Sequence, residues 1–307
     1  MDQSSRERND GLSSSRAMPT LPPDLEALSL AKFDDQVAKG TIIYESSTAE
    51  TVEDQGFKLS FRFVPHLRRK PITPSDAPER KTGKGHNPFL NPNPEEVLSE
   101  VGPSHLLILN KFSVYRPSLL VITRHFAPQS DGLDLSDLSA AWAILQRFRQ
   151  RYMMIYNCGF ESGSSQGHKH MQFWPYPDEQ ELDFQLFPNA AGSTVDVADN
   201  IPTVPHKHFV LRLPTHSDPN TLVQTYERLL RKVRQSHEAA GGGTDYNVIL
   251  VREWMCMIPR RHSGLERGAG ANSAAMLGLV WIAIETEKDI WNSAGPTEYL
   301  KYLGLPR

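Results

Sequence analysis

Apolar and polar positions recur along most of the chain with the spacings of helices and strands. After Pro22-Pro23, the apolar residues Leu25, Leu28 and Phe33 follow one another at helical spacing. Because proline is well tolerated in the first turn of a helix, this pattern predicts a helix that begins close to residue 23.

Two longer amphipathic helices are predicted further along. One carries apolar residues from Leu138 to Phe148 and has Asp134 or Ser136 as its N-cap. The other has an apolar stripe over 222–233, and it follows Ser217-Asp218-Pro219, a sequence typical of an N-cap with proline at the first helical position.

Short apolar runs predict strands between these helices. The runs at 105–110 and 119–123 flank a turn at Arg116-Pro117, which is the pattern of a hairpin. The other runs lie at 41–44, 57–63, 153–157, 168–174, 209–213, 246–251, 254–258 and 277–284. Hairpins with interspersed helices indicate an α+β fold with an antiparallel sheet and flanking helices, and not a doubly wound sheet.

Breaks in the pattern suggest the domain organisation. Residues 1–20 are polar and without periodicity, which predicts a disordered tail. The pattern breaks up again over 175–202, so we divide the rest into an N-terminal domain, 21–195, and a C-terminal domain, 196–307. Residues 71–94 are dense in Pro, Asn, Gly and Lys, and they form either a lid over a bound ligand or a disordered loop.

Composition excludes several classes of protein. The 307 residues include 33 Lys and Arg against 36 Asp and Glu, so the chain is not a polybasic binder of nucleic acid. No apolar run approaches the roughly 18 residues that span a bilayer. The two cysteines, Cys158 and Cys256, exclude a disulfide scaffold and a four-cysteine zinc site. Without a secretory signal, we expect the protein in the cytoplasm, with the nucleus as a second location.

The segment His168-Lys-His-Met-Gln172 carries the candidate chemistry. In a strand, alternate side chains share a face, so His168, His170 and Gln172 project together, roughly 6–7 Å apart. A neutral imidazole can attack phosphorus, and we expect His170 to do so because it lies between the donors upstream and Gln172. An amide at position 172 can donate to a phosphate oxygen but cannot exchange protons, so it would hold a phosphoryl group without activating water.

A glycine and serine loop, Gly163-Ser164-Ser165-Gln166-Gly167, directly precedes this segment. Backbone N–H groups in such a loop can converge on an anion. Alone, a His-x-His pair is more often structural or an adventitious metal pair, and a glycine loop is usually only a loop. Their adjacency favours a phosphoryl-transfer site.

The sequence closely resembles the diadenosine tetraphosphate phosphorylases (ATP adenylyltransferases). These are the fungal-type members of the histidine-triad superfamily, on its galactose-1-phosphate uridylyltransferase side. Besides Asn157 and the 163–172 segment, the family's landmarks occur in order at 70–71, 87–89, 109–112, 205–209 and 254–260. The resemblance therefore extends from about residue 22 to the C-terminus. It implies a histidine-triad-like sheet in two halves packed together, with the catalytic motif in the first and an ATP adenylyltransferase domain in the second.

The resemblance also implies the reaction and its residues. Diadenosine tetraphosphate would react with phosphate, reversibly, to give ADP and ATP through AMP bound covalently to His170, with His168 and Gln172 assisting. Sulfate is a further possible acceptor. The implied contacts to nucleotide and phosphate are Lys70, Asn110, Lys111, Asn157, Gly163, Ser164, Ser165, Gln166, Gln172, Asn272, Ser273, Ala274 and Leu279.

One departure from the family pattern lies near the C-terminus. The family has a glycine and an aromatic residue after its asparagine, and then a strand lysine; here the run is 272–279 and the lysine position is Ala283. The implied contacts of residues 272–274 and 279 therefore fall in or beside a segment that departs from the family's motif.

Two other classes of protein compete with the enzyme. One is a silent nucleotide sensor that retains the fold, and the other is a module in which His168, His170 and other histidines bind zinc. We expect no bound metal and no required cofactor, although Mg²⁺ could stimulate by neutralising the polyphosphate. We also expect no partner among nucleic acids or membranes. Monomer and dimer both remain open.

Overall fold

The computed structural model describes residues 18–307, so residues 1–17 of the predicted tail lie outside the described residues. Within that range the longer helices are α1 (Leu25–Ala38), α3 (Leu135–Arg147), α5 (Pro219–Ala239), α7 (Glu285–Ala294) and α8 (Pro296–Leu303). Three single-turn helices are α2 (Glu79–Thr82), α4 (Glu179–Leu182) and α6 (Ser273–Met276). The strands are β1 (Ala49–Asp54), β2 (Phe57–Phe63), β3 (Val97–Val101), β4 (His105–Leu109), β5 (Leu119–Thr123), β6 (Tyr152–Cys158), β7 (His170–Pro175), β8 (Phe209–Arg212), β9 (Tyr246–Leu250), β10 (Trp254–Pro259) and β11 (Leu279–Ile282).

Eight strands form one sheet in the order β3-β4-β5-β7-β6-β9-β10-β8, and every neighbouring pair is antiparallel. The sheet includes strands from both sides of residue 195, joined where β6 pairs with β9 from Met154↔Leu250 to Cys158↔Tyr246. The predicted α+β fold, with an antiparallel sheet and flanking helices, is confirmed.

A smaller sheet, β1-β2-β11, stands beside the large one. Here β1 and β2 are antiparallel, but β11 runs parallel to β2, with Leu279 opposite Ser60. This parallel pair is the exception to the predicted antiparallel pairing. It positions β11 and the residue that follows it, Ala283, next to the segment after β2.

The two faces of the large sheet have different neighbours. On one face, Met171 and Phe173 of β7 belong to the hydrophobic core that also contains Leu138 of α3 and Leu229 of α5. Burial of each such leucine stabilises the fold by roughly 1.5–3 kcal/mol. Because side chains alternate along a strand, His170 and Gln172 of β7 project to the opposite face, where the candidate site lies.

Helix ends follow the predicted caps. Asp134, and not Ser136, caps α3, and its carboxylate accepts from the Asp137 N–H while the Asp137 carboxylate accepts from the Asp134 N–H. Asp218 caps α5 by accepting from the Thr221 N–H at 2.7 Å, with Pro219 in the first turn.

Several elements differ from the prediction. Residues 41–44 do not form a strand, because the N–H groups of Thr41 and Ile42 bond to the Gln36 carbonyl at the end of α1. β1 was not predicted because its side chains are mostly polar and exposed. The run predicted as a strand over 277–284 is shorter, and α7 and α8 follow it. Within residues 18–307, no helix is both long and apolar enough to span a membrane.

Candidate active site

The candidate site lies on the face of β7 that points away from α3 and α5. His170 lies opposite Ile122, and Gln172 lies opposite Leu120 of β5. His168 precedes the strand, which begins two residues later than predicted, and forms an isolated bridge with Pro128. Both histidines are buried.

The hydrogen bonds of His170 determine its tautomer. Its Nδ1 lies 2.8 Å from the His168 carbonyl oxygen, which can only accept, so Nδ1 carries the proton. Nε2 is then left with its lone pair, as a nucleophile requires. Burial lowers the pKa of His170 to about 3, and the nearby charge of Lys70 acts in the same direction. The imidazole is therefore neutral across the physiological range.

Both ring nitrogens of His168 are already engaged. Its Nε2 donates to the Thr123 carbonyl at 2.8 Å, and its Nδ1 lies 3.1 Å from the Asn87 amide nitrogen, which donates to it. His168 thus has no free lone pair for attack, and its backbone carbonyl orients His170. Burial also lowers the pKa of the His168 ring.

The glycine loop is held in a compact form. The hydroxyls of Ser162 and Ser164 both donate to the Gly159 carbonyl at 2.7 Å. Gly163 has a φ of +91°, and a Cβ there would lie 2.3 Å from the Ala271 carbonyl oxygen, so only glycine fits. The loop is therefore packed directly against the segment that precedes α6.

A cavity of about 330 Å³ opens beside the loop, within the range of about 300–1,000 Å³ usual for small-molecule sites. The predicted site residues that line it are Lys70, Asn110, Gly163, Ser164, Ser165, Gln172 and Asn272. Apolar side chains, including Leu67, Phe112, Tyr115 and Trp281, form the rest of its wall. Burial lowers the pKa of Lys70 to about 8, so its charge is sensitive to a bound anion.

The other predicted residues lie outside the cavity lining, and their contact with nucleotide stays a prediction. Asn157 is buried, and its Oδ1 accepts from the Ser273 N–H and hydroxyl and from the Asn247 amide. Ala274 is fully buried in α6, Leu279 is buried in β11, and Lys111 is exposed.

The Gln166 side chain, which is also outside the lining, bonds instead to the 71–94 segment. Its amide donates to the Pro71 carbonyl at 2.8 Å. Nearby, the Thr73 N–H donates to the Ser165 carbonyl at 2.8 Å.

The rest of the 71–94 segment packs onto the loop and the histidines. The Arg80 guanidinium donates to the Ser164 carbonyl at 2.8 Å, and the Phe89 ring lies 5.1 Å from the His170 ring and 5.9 Å from the His168 ring. This packing argues against the disordered loop that the sequence left open, and a lid over a bound ligand stays a prediction. Asn87, Phe89 and Arg80 were not predicted as site residues, although 87–89 was noted as a landmark.

A buried arginine behind the loop was not predicted as a site residue either, although it ends the landmark 254–260. Arg260 is 1% exposed, and a solvated turn is what its Arg-Arg-His sequence suggests. Its guanidinium donates at 2.8–3.1 Å to five acceptors: the carbonyls of Leu303, Ser162, His262 and Ala271, and the Asn247 side-chain oxygen. Arg260 therefore connects the glycine loop, the segment before α6 and the C-terminal helix.

Metal ligands were sought across the part of the chain that the structure describes. Residues 18–307 contain no group of three or more His, Cys, Asp or Glu side chains arranged to hold a metal ion.

The buried, neutral His170 shares a strand face with Gln172, which lines a cavity with a cation, amides and an apolar wall, and this arrangement suits nucleotidyl transfer. The family model "Ap4A phosphorylase N-terminal domain" matches residues 18–188, and "ATP adenylyltransferase C-terminal domain" matches residues 202–306. The chain therefore belongs to the Ap4A phosphorylase family, where Ap4A is diadenosine tetraphosphate. The predicted enzyme class, a nucleotidyltransferase acting as an Ap4A phosphorylase, is confirmed.

Individual relatives agree with this assignment. Diadenosine tetraphosphate phosphorylase 2 of Saccharomyces cerevisiae is 32% identical over 247 residues, which cover 72% of this chain and 74% of the relative. The crystal structure of yeast Ap4A phosphorylase Apa2 with AMP has a TM-score of 0.77 at 25% identity, covering 94% of this chain and 98% of that one. The structure of Apa2 with Ap4A also has a TM-score of 0.77, at 24% identity, covering 94% and 99%.

Proposed function

We propose that this protein cleaves Ap4A by phosphorolysis to ADP and ATP through AMP bound covalently to Nε2 of His170. The observation that carries the proposal is the bond from His170 Nδ1 to the His168 carbonyl, because it fixes the tautomer whose Nε2 can attack. The binding of AMP and of Ap4A by yeast Apa2 supports the substrate assignment.

The reaction proceeds in two transfers that together regenerate the free histidine. In the first, Nε2 attacks the α-phosphorus of one AMP moiety, the N–P bond forms, and the bond from that phosphorus to the bridging oxygen breaks, so ATP leaves. In the second, an oxygen of inorganic phosphate attacks the same phosphorus and the N–P bond breaks, giving ADP. Throughout, Nδ1–H stays bonded to the His168 carbonyl, which stabilises the positive charge on the ring of the intermediate.

Gln172 supports phosphorolysis over hydrolysis. It lines the cavity beside His170, and its amide can donate to a phosphoryl oxygen but cannot take a proton from water. Lys70 offsets polyphosphate charge, and Asn110 and Asn272 orient the nucleotide. We propose that phosphate is the acceptor, with sulfate as a substitute, and that Mg²⁺ stimulates only by neutralising the substrate.

The test is product analysis with and without phosphate. We expect ADP and ATP in equal amounts when phosphate is present, and no sustained turnover without phosphate. A metal chelator should slow the reaction but should not abolish it. Sustained release of AMP and ATP without phosphate would make the protein a hydrolase. Binding of Ap4A with no turnover under either condition would make it a sensor.

The assignment of the nucleophile is tested separately with Ap4A that is labelled in the AMP moiety. Acid-labile, base-stable label should form on the wild type, should not form on His170→Ala, and should form more slowly on His168→Ala. Label that survives in His170→Ala and is lost in His168→Ala would reverse the assignment.

A further inference from the structure

Lys169, the residue between the two histidines of the site, is buried. Its side chain is 6% exposed, and its ammonium group donates to the Asp137 carboxylate at 2.9 Å and to the Gly132 carbonyl at 2.8 Å. Lysine is almost never fully buried unless it is paired. The ion pair connects the segment between the histidines to the first turn of α3, on the face of the sheet opposite the candidate site.

The Asp137 carboxylate is the centre of a buried charged network. Besides Lys169, it accepts from Nε2 of His105, the first residue of β4, at 2.8 Å and from the Asp134 N–H at 3.0 Å. Burial alone would raise the pKa of Asp137, but the hydrogen bond from His105 and the charge of Lys169 together lower it, so the carboxylate is ionised. The network therefore joins β4, α3 and the segment that precedes β7.

The peptide group between His168 and Lys169 carries the bond that fixes the nucleophile. Its carbonyl oxygen accepts from Nδ1 of His170 at 2.8 Å, and its N–H donates to the Ala127 carbonyl at 2.8 Å. The Lys169 side chain branches from the Cα directly after this peptide group. Because its far end is held by Asp137, the peptide plane has little freedom to tilt and to turn its carbonyl away from Nδ1.

A second His-Lys-His segment, at 206–208, shows that the fold can be built without such a pair. Nδ1 of His208 likewise lies 2.9 Å from the His206 carbonyl. Lys207, however, is only half-buried, and among the residues that the structure describes it forms no ion pair. Nε2 of His208 already accepts from the Ile201 N–H at 3.1 Å, so it cannot attack a substrate.

The comparison of the two segments separates function from folding. Burial of an ion pair costs desolvation that an apolar pair would avoid, so a buried pair is weak evidence for stability. The pair is present beside the histidine whose Nε2 can attack and absent beside the histidine whose Nε2 is engaged.

From these observations we propose that Lys169 is a positioning residue for AMP transfer, whose buried pair with Asp137 keeps the His168 carbonyl on Nδ1 of His170. The inference rests on the proposed function, because it takes His170 as the nucleophile. Lys169 does not line the cavity, so it acts on the rate of transfer and not on substrate binding.

The first test measures single-turnover AMP labelling and the KM for Ap4A in the full-length protein. Lys169→Met keeps most of the apolar stem and removes the ammonium group. We expect the labelling rate to fall by at least about tenfold, the scale of a small misplacement of a reacting group, while KM changes little. Lys207→Met, the same change in the second His-Lys-His segment, is the matched control and should leave both constants unchanged.

A double variant distinguishes positioning from stability. Lys169→Met leaves the Asp137 carboxylate buried without its cation, which should lower the midpoint of urea unfolding. Adding Asp137→Asn removes that charge and keeps an oxygen for the Asp134 N–H, so the midpoint should recover while the labelling rate stays low. Recovery of both the midpoint and the rate, or a wild-type rate in Lys169→Met, would show that the pair is only structural and would overturn the inference.

The tautomer of His170 provides a readout that needs no turnover. Nitrogen NMR spectra of protein with isotope-labelled histidine distinguish protonated from unprotonated ring nitrogens, and comparison with His170→Asn assigns the His170 signals. We expect Nδ1–H alone in the wild type and Lys207→Met, and a second population protonated at Nε2 in Lys169→Met. If this population is found but the wild type forms no label, the positioning role stands and the proposed reaction fails. A single Nδ1–H tautomer in every variant would overturn the inference.

Discussion

The side-chain amide of Gln129 holds the backbone of His170 from both sides. Its Oε1 accepts from the His170 N–H at 2.7 Å, and its Nε2 donates to the His170 carbonyl at 3.2 Å and to the Asn157 carbonyl at 2.9 Å. The Gln129 backbone in turn bonds to Gly167, at the end of the glycine loop, and to Gly159, four residues before the loop begins. One buried residue thus fixes the backbone of His170 relative to the loop that lines the cavity.

Replacement of the Gln129 side chain should slow the AMP-transfer step more than it weakens substrate binding. Gln129→Met keeps the length of the side chain but removes its three hydrogen bonds, so the His170 backbone can shift. A misplacement of this kind costs up to about 100-fold in rate, and we expect the single-turnover rate of AMP transfer to fall by at least about tenfold. The KM for Ap4A should change little.

The control for this variant is Gln146→Met, on the exposed face of α3, which should leave both constants unchanged. A rise in KM with an unchanged transfer rate would show that Gln129 supports binding and not the nucleophile.

The rate of the first transfer should not decline in mild acid. Because burial lowers the pKa of His170 to about 3, Nε2 keeps its lone pair down to pH 5.5. With the usual pKa near 6.5, only about a tenth of the imidazole would be neutral at that pH. Single-turnover AMP labelling without phosphate, from pH 5.5 to 8, measures this step apart from titration of the acceptor. A labelling rate that declines toward acid, with a midpoint near the usual histidine pKa, would refute this prediction.

Stability should fall over the same acid range and must be monitored in parallel. The pKa values of His170 and His206 are lowered to about 3 and that of His208 to about 4, chiefly by burial. In this range the unfolded chain binds more protons than the folded one. The contribution of these histidines to the free energy of unfolding is therefore fully present above about pH 6.5, and it decreases as the pH falls toward their folded pKa values.

The contact between residues 71–94 and the glycine loop can be disturbed at Gly167. A Cβ on Gly167 would lie 2.4 Å from Cα of Arg80, so Gly167→Ala should displace residues 71–94 from the glycine loop. We expect at least about a tenfold loss of kcat/KM and faster proteolysis within that segment. Gly192→Ala, where an added Cβ meets nothing within 4 Å, is the matched control. Unchanged activity in Gly167→Ala would show that closure of the segment does not matter for catalysis.

Arg260 should contribute more to stability than its neighbour. Arg260→Met leaves five neutral acceptors without their donor, and each buried polar group that loses its partner costs about 1–3 kcal/mol. Arg261→Met, at an exposed neighbour whose guanidinium makes one backbone bond, should cost less than about 1 kcal/mol. Urea unfolding of both variants measures the difference. Equal losses would mean that the buried network is dispensable.

The sequence predicted those parts of the site that depend on local pattern. The His-x-His-x-Gln alternation predicted a common face for His170 and Gln172, and Gln172 lines the candidate cavity; Asp218 was found from its cap sequence. Gln129 and Arg260 could not be found in this way, because Gln129 bonds to residues 28 and 41 positions away in the chain, and Arg260 bonds to residues up to 98 positions away. Nothing near Gln129 distinguishes it from an ordinary polar surface position, and Arg260 was noted only as the end of the landmark 254–260.

The pairing of β6 with β9 has a consequence for how the chain can be divided. An isolated segment 21–195 would present the β6 edge, from Tyr152 to Cys158, with its ladder of N–H and C=O groups unpaired and its side chains exposed. Such an edge is a template for aggregation. The protein should therefore melt in a single cooperative transition, and neither half should be soluble when expressed alone, even though each matches a separate family model.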